Sequence, residues 1–482
     1  MRTQMISALR RRQSSLKTLL RLDLRETFVS RRDSGLIQLA LNVGRRLEKI
    51  GRKGRNFKIM GCPPLTLWMI LLPLQAEDAP RFVHQVYLNE LWRERGIIGR
   101  LGLAIGTLFV SVPLNIVAAA WLTAINGRAL ARSSGKSIPR QVLEQFQVAF
   151  SHNIMAPWYY QFDLHDDRKR ERAGAYVHRF ELKGGLYKMI SRSSGALPKS
   201  PLNDKREFAE ICARAGLPTL PVIGTARGGA ILDESGAKVE LPAGDIFIKP
   251  LAGRGGLGAE RWSYAEENVW RSADGRTLST DELMRHVEAL SKDVPYVVQR
   301  RAVPHPDLAE LSNGALPTTR ILTIKGTGEN WEPVTALFRM AVGVNRTVDN
   351  FHAGGIAANV DLATGMLGRA TDIGLSPDIG WLDRHPDVGG VITGRVLPFW
   401  PEALALARRA HSVFNQRLVA GWDIAILPGG PVLVEGNVAP DTDMHQRVSG
   451  EPLGAGPFGI LLATHLQRAL ERVPLHGGPA RV

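Results

Sequence analysis

Cysteine is nearly missing from this chain. Cys62 and Cys212 stand alone in 482 residues, with no second cysteine or histidine at metal-ligand spacing. That gives no disulfide framework and no zinc-type motif, so a reducing compartment is the default. No internal repeat and no long low-complexity tract is visible, which excludes a solenoid and a wholly disordered polypeptide. The first apolar run arrives too late to be a cleavable signal peptide.

Acidic residues are scarce at the start. Residues 1–60 hold 16 Lys or Arg against four Asp or Glu, a net +12 of the chain's +15. The rest is therefore near +3, so residues 1–59 form a basic arm on an almost balanced body. Such an arm suits nucleic acid or anionic lipid. A solvated tail, or upstream sequence preceding a start at Met60, accounts for it equally well. Nucleic acid is the weaker partner, because no recognised module or interleaved aromatic pattern accompanies the charge. The length implies two or three domains, and 44% hydrophobic with 22% charged residues is a globular balance.

Charge is absent again from residues 101–125, LGLAIGTLFVSVPLNIVAAAWLTAI. This exceeds the roughly 20 residues that cross a bilayer as a helix. Arg95 and Arg100 precede it, Arg128 and Arg132 follow it, and Trp121 sits near one end. Both flanks carry four Arg or Lys within twenty residues, so charge assigns no orientation. Pro113 and Asn115 suit a kink or a short re-entrant hairpin, and the apolar run at 60–75 suits pairing with the first. The competing reading is a buried helix of a soluble domain. Residues 60–145 are thus a helical region with membrane contact expected through 60–75 and 101–125. Residues 146–200 connect it onward, ending in the linker-like SSGALPKSPLN.

After that linker the pattern changes. NDKREFAEICARAG predicts a helix capped by Asn203 or Asp204 and stopped at Gly216. A strand ending at Lys249-Pro250 leads into a glycine-rich loop. Strands are expected around PYVVQRRAV, TRILTI, PVTALFRMAV, GWDIAIL and PVLVEGN. DELMRHVEAL and PEALALARRAHSVFNQRL read as amphipathic helices. Adjacent strand pairs mixed with separate helices read as α+β, not as a doubly wound parallel sheet.

The last two strands flank Pro428-Gly429-Gly430. With those residues as the loop, Leu427 pairs with Pro431, Ala425 with Leu433 and Asp423 with Glu435. Glu435 and Asn437 then share a face with Asp423. Two opposed carboxylates repel unless a cation lies between them, and Mg²⁺ is the natural oxygen-liganded choice. The plainer reading is a solvated hairpin end, since register slips by one residue easily.

The loop Gly253-Arg254-Gly255-Gly256-Leu257-Gly258 can offer backbone N–H groups to phosphate. No Lys-Ser/Thr follows it, so it is no Walker A motif, and no helix follows to make a dinucleotide fingerprint. A tight hairpin explains it as well. Lys249 just before it, on an Ile/Phe strand, and Lys205 at the helix start add phosphate-directed charge. Arg320 and Arg339 lie on apolar strands, where an unpaired charge is costly. They are read either as salt-bridge partners or as a clamp on a transferred phosphoryl group.

In this order the segments Asp204-Lys205, FIKP, the glycine loop, VVQRR, Asp423 and Glu435-Gly-Asn437 resemble the ATP-grasp superfamily. The stretches QRRAVPHPDLAEL, ALPTTRILTI, LFRMAVGVNRTVDNFHAGGIAANVDLATGMLG and VEGNVAPDTDMHQ are more narrowly similar to its sugar-transfer-associated, glutamate-ligase-like branch. The resemblance implies an ATP-grasp domain over 201–470, a mostly helical region before it and a tail at 471–482. It implies ATP bound by Lys205, Lys249, Gly253, Gly255, Gly256 and Gly258, with adenine at Gln299, Arg300 and Ala302. It implies Mg²⁺ on Asp423, Glu435 and Asn437, and Arg320 and Arg339 stabilising phosphoryl transfer. Asn350 to Gly355, Asp441, Asp443 and Gln446 would face the acceptor.

Two departures matter. Related hinges often carry Glu after the Gln, whereas Arg300 and Arg301 follow here, leaving His305 and Asp307 as the nearby ribose candidates. The first 200 residues do not match the α/β domain that usually precedes such a core. The implied activity is a ligase that activates a carboxylate as an acyl phosphate and couples it to an amine, thiol or hydroxyl. Its acceptor would be a small molecule or glycan-linked, in cell-surface polysaccharide or glycolipid modification. Kinase-type transfer, or an ATP-binding membrane scaffold without turnover, are the alternatives. ATP chemistry implies a cytoplasmic catalytic part, with any anchor at the cytoplasmic face.

Overall fold

A computed structural model describes residues 62–193, 200–233, 235–251, 258–265, 268–343, 346–377 and 380–472. The basic arm and the tail from 473 lie outside the described residues.

Helices come first. Helix α1 (Ala79–Arg93) is capped by Asp78, which accepts from Arg81 N, with Pro80 in its first turn. Helix α2 runs unbroken over Ile97–Ser134, and α3 over Ile138–His152. No re-entrant hairpin forms at Pro113. Instead a π-helical turn at Thr107–Ser111 lets Val112 N reach Thr107 O, and the widened turn absorbs the proline's missing donor without breaking the helix. The run at 60–75 is no partner span either. Its described part holds only a 3₁₀ turn, Leu67–Leu71, which is far too short to cross a bilayer. A helical run then spans Arg179–Glu181, Leu182–Leu186 and Tyr187–Ser193.

Two seven-stranded sheets follow the short helix α4 (Lys205–Arg214), whose N-cap is Asp204 and whose C-terminus gives way to Gly216 at φ +62°. The first sheet has the order β2-β1-β7-β3-β4-β5-β6. Its strands are β1 (Val222–Arg227), β2 (Ala230–Leu232), β3 (Ile246–Pro250), β4 (Glu260–Ala265), β5 (Val269–Ser272), β6 (Thr277–Ser279) and β7 (Tyr296–Arg300). Trp262, Trp270 and Val298 bury themselves against Leu283 and Val287 of α5 (Thr280–Leu290).

The second sheet has the order β12-β11-β10-β9-β8-β13-β14. It comprises β8 (Thr318–Lys325), β9 (Trp331–Met340), β10 (Ile356–Val360), β11 (Leu367–Thr371), β12 (Trp381–Leu382), β13 (Val419–Leu427) and β14 (Gly430–Asn437). All pairings in both sheets are antiparallel. Phe338, Ile424 and Trp422 pack on α6 (Trp400–Val413). Helices α7 (Thr442–Ser449) and α8 (Pro457–Arg472) close the chain. Leu322, Ile324 and Val419 share a core with Val83 and Val86 of α1 and Leu462 and Leu466 of α8. The N-terminal helices are thus built onto the second sheet, not hung beside it.

The last hairpin departs from its expected register. Leu427 pairs with Gly430, Ile426 with Pro431 and Ala425 with Val432, so the turn is two residues, not three. A bulge between Ile424 and Asp423 then takes up one residue of β14, and Asp423 faces Glu435 as expected.

Candidate active site

One face of the second sheet carries a row of charge. On β13, Asp423 stands opposite Arg320 of β8 on one side and Glu435 of β14 on the other. Arg320 reaches it with two bonds, Nε to Oδ1 and Nη2 to Oδ2, the latter 2.8 Å. Arg339 on β9 adds Nη2 to Asp423 Oδ2 at 3.0 Å and to Asp349 Oδ1 at 3.4 Å, and donates to Thr318 Oγ1 at 2.6 Å. Gly421 makes this crossing possible. A Cβ there would lie 2.8 Å from Pro440 Cβ and 3.3 Å from Arg320 Cδ, so a side chain would push the guanidinium off its path.

Burial would raise the Asp423 carboxyl, but Arg320 and then Arg339 outweigh it and hold it below the usual range. Glu435 goes the other way. Burial first, and then the Asp423 charge, raise it, while Lys205, Arg320 and Lys249 only partly offset them. No described group hydrogen-bonds to the Glu435 carboxylate.

Two lysines approach, one from α4 and one from the first sheet. Lys205, the first residue of α4, donates to Pro250 O at 2.9 Å, which ties the helix start to the end of β3. Lys249 sits one residue before that carbonyl. Burial and the neighbouring Lys205 push its ammonium down to about 8, against the pull of Glu435 and Asp423. Gly258 closes the glycine loop at φ +76°, where a Cβ would meet Pro250 Cγ at 3.2 Å. Gly253, Gly255 and Gly256 lie outside the described residues.

The connector after β7 is fastened at both ends. Arg301 N donates to Asp245 O at 2.9 Å with Nη1 on Asp245 Oδ2 at 2.6 Å, and His305 N donates to Ile426 O at 2.8 Å. Gln299 is buried on β7 and its Oε1 has no partner among the described residues. Arg300 ends the strand exposed, and Ala302 lies half-buried on the connector. His305 accepts from Asp307 N at 3.2 Å, which makes it the cap of the turn Pro306–Leu311.

Divalent-metal fit is decided by the hairpin end. Among the described residues no three His, Cys, Asp or Glu gather as a ready metal cage. The set is two carboxylates and an amide. Glu435 has no hydrogen-bond partner among the described residues and lies beside Asp423, and Asn437 directs Nδ2 toward Gly421 O at 3.5 Å, leaving Oδ1 unengaged among the described bonds. Asp423 has both oxygens on arginine and offers only remaining lone pairs. That set suits Mg²⁺, which keeps several water and phosphate ligands.

Sequence reasoning named Asp441, Asp443, Gln446 and the stretch holding His352 here, but missed the basic groups that meet them. From the helical run before the linker, Arg179 bonds Asp441 through Nη1, lies 3.7 Å from Asp443 Oδ2, and meets His352 Nε2 at 3.1 Å. Burial would raise the Asp441 carboxyl, yet Arg179, then His352 and Lys183, hold it well below the carboxylate range. Asp443 also accepts from Trp158 Nε1 at 2.9 Å and Arg179 N at 3.0 Å. Gln446 accepts from Val177 N and Leu453 N and donates to Val177 O. Asp443 and Gln446 therefore fasten the N-terminal helices to α7. Lys183 is exposed, yet packing protein lowers its pKa, with Asp441 only partly offsetting. No periodicity or spacing marks Arg179 or Lys183 in advance.

No curated protein matches the chain. Among solved structures it is similar to the D-alanine–D-alanine ligase of Bacillus anthracis, at 12% identity and TM-score 0.33, over 61% of this chain and 78% of that one. D-alanyl-alanine synthetase A of Vibrio cholerae gives 11%, 0.32, 56% and 65% in the same terms. The ADP complex of N5-carboxyaminoimidazole ribonucleotide synthetase gives 11%, 0.30, 50% and 46%. Likenesses of this size assign no function. The family model described as sugar-transfer associated ATP-grasp matches residues 197–455, more than half of the 482. This chain belongs to the sugar-transfer associated ATP-grasp family.

Proposed function

We propose that the protein is an ATP- and Mg²⁺-dependent ligase that activates a carboxylate as an acyl phosphate and couples it to an amine, thiol or hydroxyl. The observation that carries this reading is the row of charge on one face of the second sheet and the basic groups that stand beside it. Glu435, Asp423, Arg320 and Arg339 follow one another across β14, β13, β8 and β9, with Lys205 and Lys249 beside Glu435 and Lys183 and Arg179 beside Asp441. Such a row suits a reaction made of positioning and charge stabilisation, which needs no nucleophilic side chain.

In this reading Lys205 and Lys249 hold the ATP phosphates, and the connector from Gln299 to Ala302 receives adenine. Glu435 and Asn437, with Asp423, would hold Mg²⁺, which supplies charge neutralisation at the terminal phosphates. Arg320 and Arg339 face the phosphoryl group as negative charge shifts. A carboxylate oxygen attacks the γ-phosphorus, the bond to ADP breaks, and the acceptor then displaces phosphate from the acyl carbon, losing its proton. Family membership supports ATP-dependent ligation. The family's description points further, to a glycan-linked acceptor in polysaccharide or glycolipid modification.

Hydroxylamine trapping tests the reaction class. With ATP, Mg²⁺ and a panel of amino and dicarboxylic acids, the expected product is a hydroxamate with ADP. A phosphorylated product without hydroxamate would make the protein a kinase, and ATP binding without ADP release would make it a scaffold.

Lys249→Ala is expected to weaken ATP binding by roughly 10–100-fold, the range of a lost charge-assisted hydrogen bond. Because the Lys249 ammonium sits at about 8 in the free protein, wild-type affinity should fall as pH rises through that region. Titration calorimetry across pH should show that decline in the wild type and a flat profile in the variant. An unchanged affinity removes Lys249 from the phosphate site.

Lys183 has no direct ion-pair partner among the described residues and is exposed, so its removal should leave the fold alone. Lys183→Ala is expected to raise KM for the acid by about tenfold, the worth of one charged contact, with KM for ATP unchanged. Equal KM values for the acid would place the acid elsewhere.

A further inference from the structure

Helix α2 is built inside out. Its inward face carries the helix's polar side chains, set among Leu103, Leu114, Ala118 and Leu122. Ser111 Oγ donates to Pro63 O at 2.6 Å, and Asn115 Oδ1 accepts from Ala156 N at 2.9 Å. Thr123 Oγ1 accepts from Gln145 Nε2 at 2.9 Å, and Asn126 Nδ2 reaches Leu375 O at 3.3 Å. Its outward face is apolar. Ile98 is 87% exposed, Leu101 60%, Phe109 63% and Trp121 45%, and no charged residue occurs between Arg100 and Arg128. Leu71 at 82% and Trp68 at 48% stand on the 3₁₀ turn that follows the Pro63–Pro64 contact with α2. A soluble helix shows the opposite arrangement, with the polar stripe in water. Only 28% of the most apolar stretch of α2 is buried, so this is no core helix.

Crossing a bilayer is excluded by the same bonds. Residues 111–126 are tied to segments at 63, 145, 156 and 375, so a transverse α2 would carry those segments into hydrocarbon. With them would go Glu144, on α3, paired to Lys136 and Arg140. Lying flat costs none of this.

We propose that α2 lies in the plane of an anionic lipid bilayer, its apolar face at the acyl boundary and its polar face carrying the rest of the protein. Charge selects lipid as the occupant. Exposed Arg93 precedes the apolar stretch, exposed Arg128 and Arg132 follow it, and Arg100 lies over the Trp92 ring at 5.7 Å. Arginines at both ends of an apolar face can extend to headgroups. The 60 residues with net +12 join the body at the segment packed on the π turn of α2, where Gly106 abuts Pro63. A polybasic sequence joined along the chain to an element with an apolar face is the two-signal combination that stable membrane attachment needs. The surface is independent of the catalytic reading, since it uses none of those residues.

Vesicle flotation of the full-length protein tests this. With vesicles of equal parts phosphatidylglycerol and phosphatidylcholine the protein should float, and with phosphatidylcholine alone binding should drop about tenfold or more, in line with the loss of several near-surface basic contacts. The double variant Leu101→Asp/Phe109→Asp should lose flotation while keeping the wild-type melting curve and ATP affinity. Arg128→Glu/Arg132→Glu should weaken binding to the anionic vesicles only. Flotation of the Asp variant at wild-type level would overturn the proposal. So would resistance to alkaline carbonate, which marks a spanning helix. Failure to float, with a dimer in ultracentrifugation that the Asp variant abolishes, would assign the face to a second copy instead.

Discussion

Replacing Glu435 with glutamine is expected to lower kcat by roughly 10²–10³-fold, the range lost when one transition-state charge contact is removed. Nucleotide affinity should change little, because Lys205 and Lys249 remain. The substitution keeps shape and removes one negative charge. Burial and the facing Asp423 raise the Glu435 carboxyl, so in the free protein this group opposes folding. The sign is fixed: with its folded pKa above the unfolded value, stability falls as pH climbs from the unfolded pKa through the folded one. Above that window the variant should therefore melt no lower than the wild type. Loss of turnover with an undiminished melting temperature is the signature of a metal or phosphoryl role. Wild-type turnover would remove Glu435 from the mechanism, and a large drop in melting temperature would make it a structural residue.

The Asp423–Glu435 pairing was legible in the sequence, through two offsetting departures. The turn is one residue shorter than Pro428-Gly429-Gly430 suggests, and the bulge beside Asp423 restores the phase. Alternation alone shows which residues share a face, but no local signal announces a bulge. The lysines were legible because each follows a strong local marker, the Asp204 cap and the Ile/Phe strand β3. The partners of Arg320 and Arg339 were not. Burial demanded some partner, but Asp423 was already spoken for as a metal ligand, and cross-strand neighbours depend on sheet order. Strands β10 and β11 escaped notice because AANVDLATGMLGRAT mixes turn residues into short strands, and β12 because two residues show no alternation. Arg179 and Lys183 come from before residue 197, outside the stretch the family model matches. The helical region thus supplies basic partners of Asp441 from outside the matched stretch. For α2 the length and apolarity were plain, while the inward-facing Ser111, Asn115, Thr123 and Asn126 become meaningful only beside their partners.

Asp423→Leu is expected to destabilise the protein by about 3–5 kcal/mol, the cost of leaving a buried charge without its partner. Arg320 loses both of its bonds in that variant and has no other acceptor among the described residues, whereas Arg339 keeps Thr318 and Asp349. Both members of the pair are almost inaccessible, at 8% for Arg320 and 5% for Asp423, so solvent does little to relieve the loss. The pH dependence follows from the depressed Asp423 carboxyl. Its contribution is present above the unfolded pKa and disappears as pH falls through the folded one, so the gap between wild type and variant should narrow in acid. Denaturant titrations at neutral and acidic pH measure both effects. The double variant Asp423→Leu/Arg320→Met separates structure from chemistry, because an apolar pair of similar volume can replace a buried ion pair without loss of stability. It should recover most of the stability and none of the turnover. If the single variant unfolds with the wild type, the pair contributes nothing to the fold. If the double variant still turns over, neither Asp423 nor Arg320 belongs to the phosphoryl-transfer site.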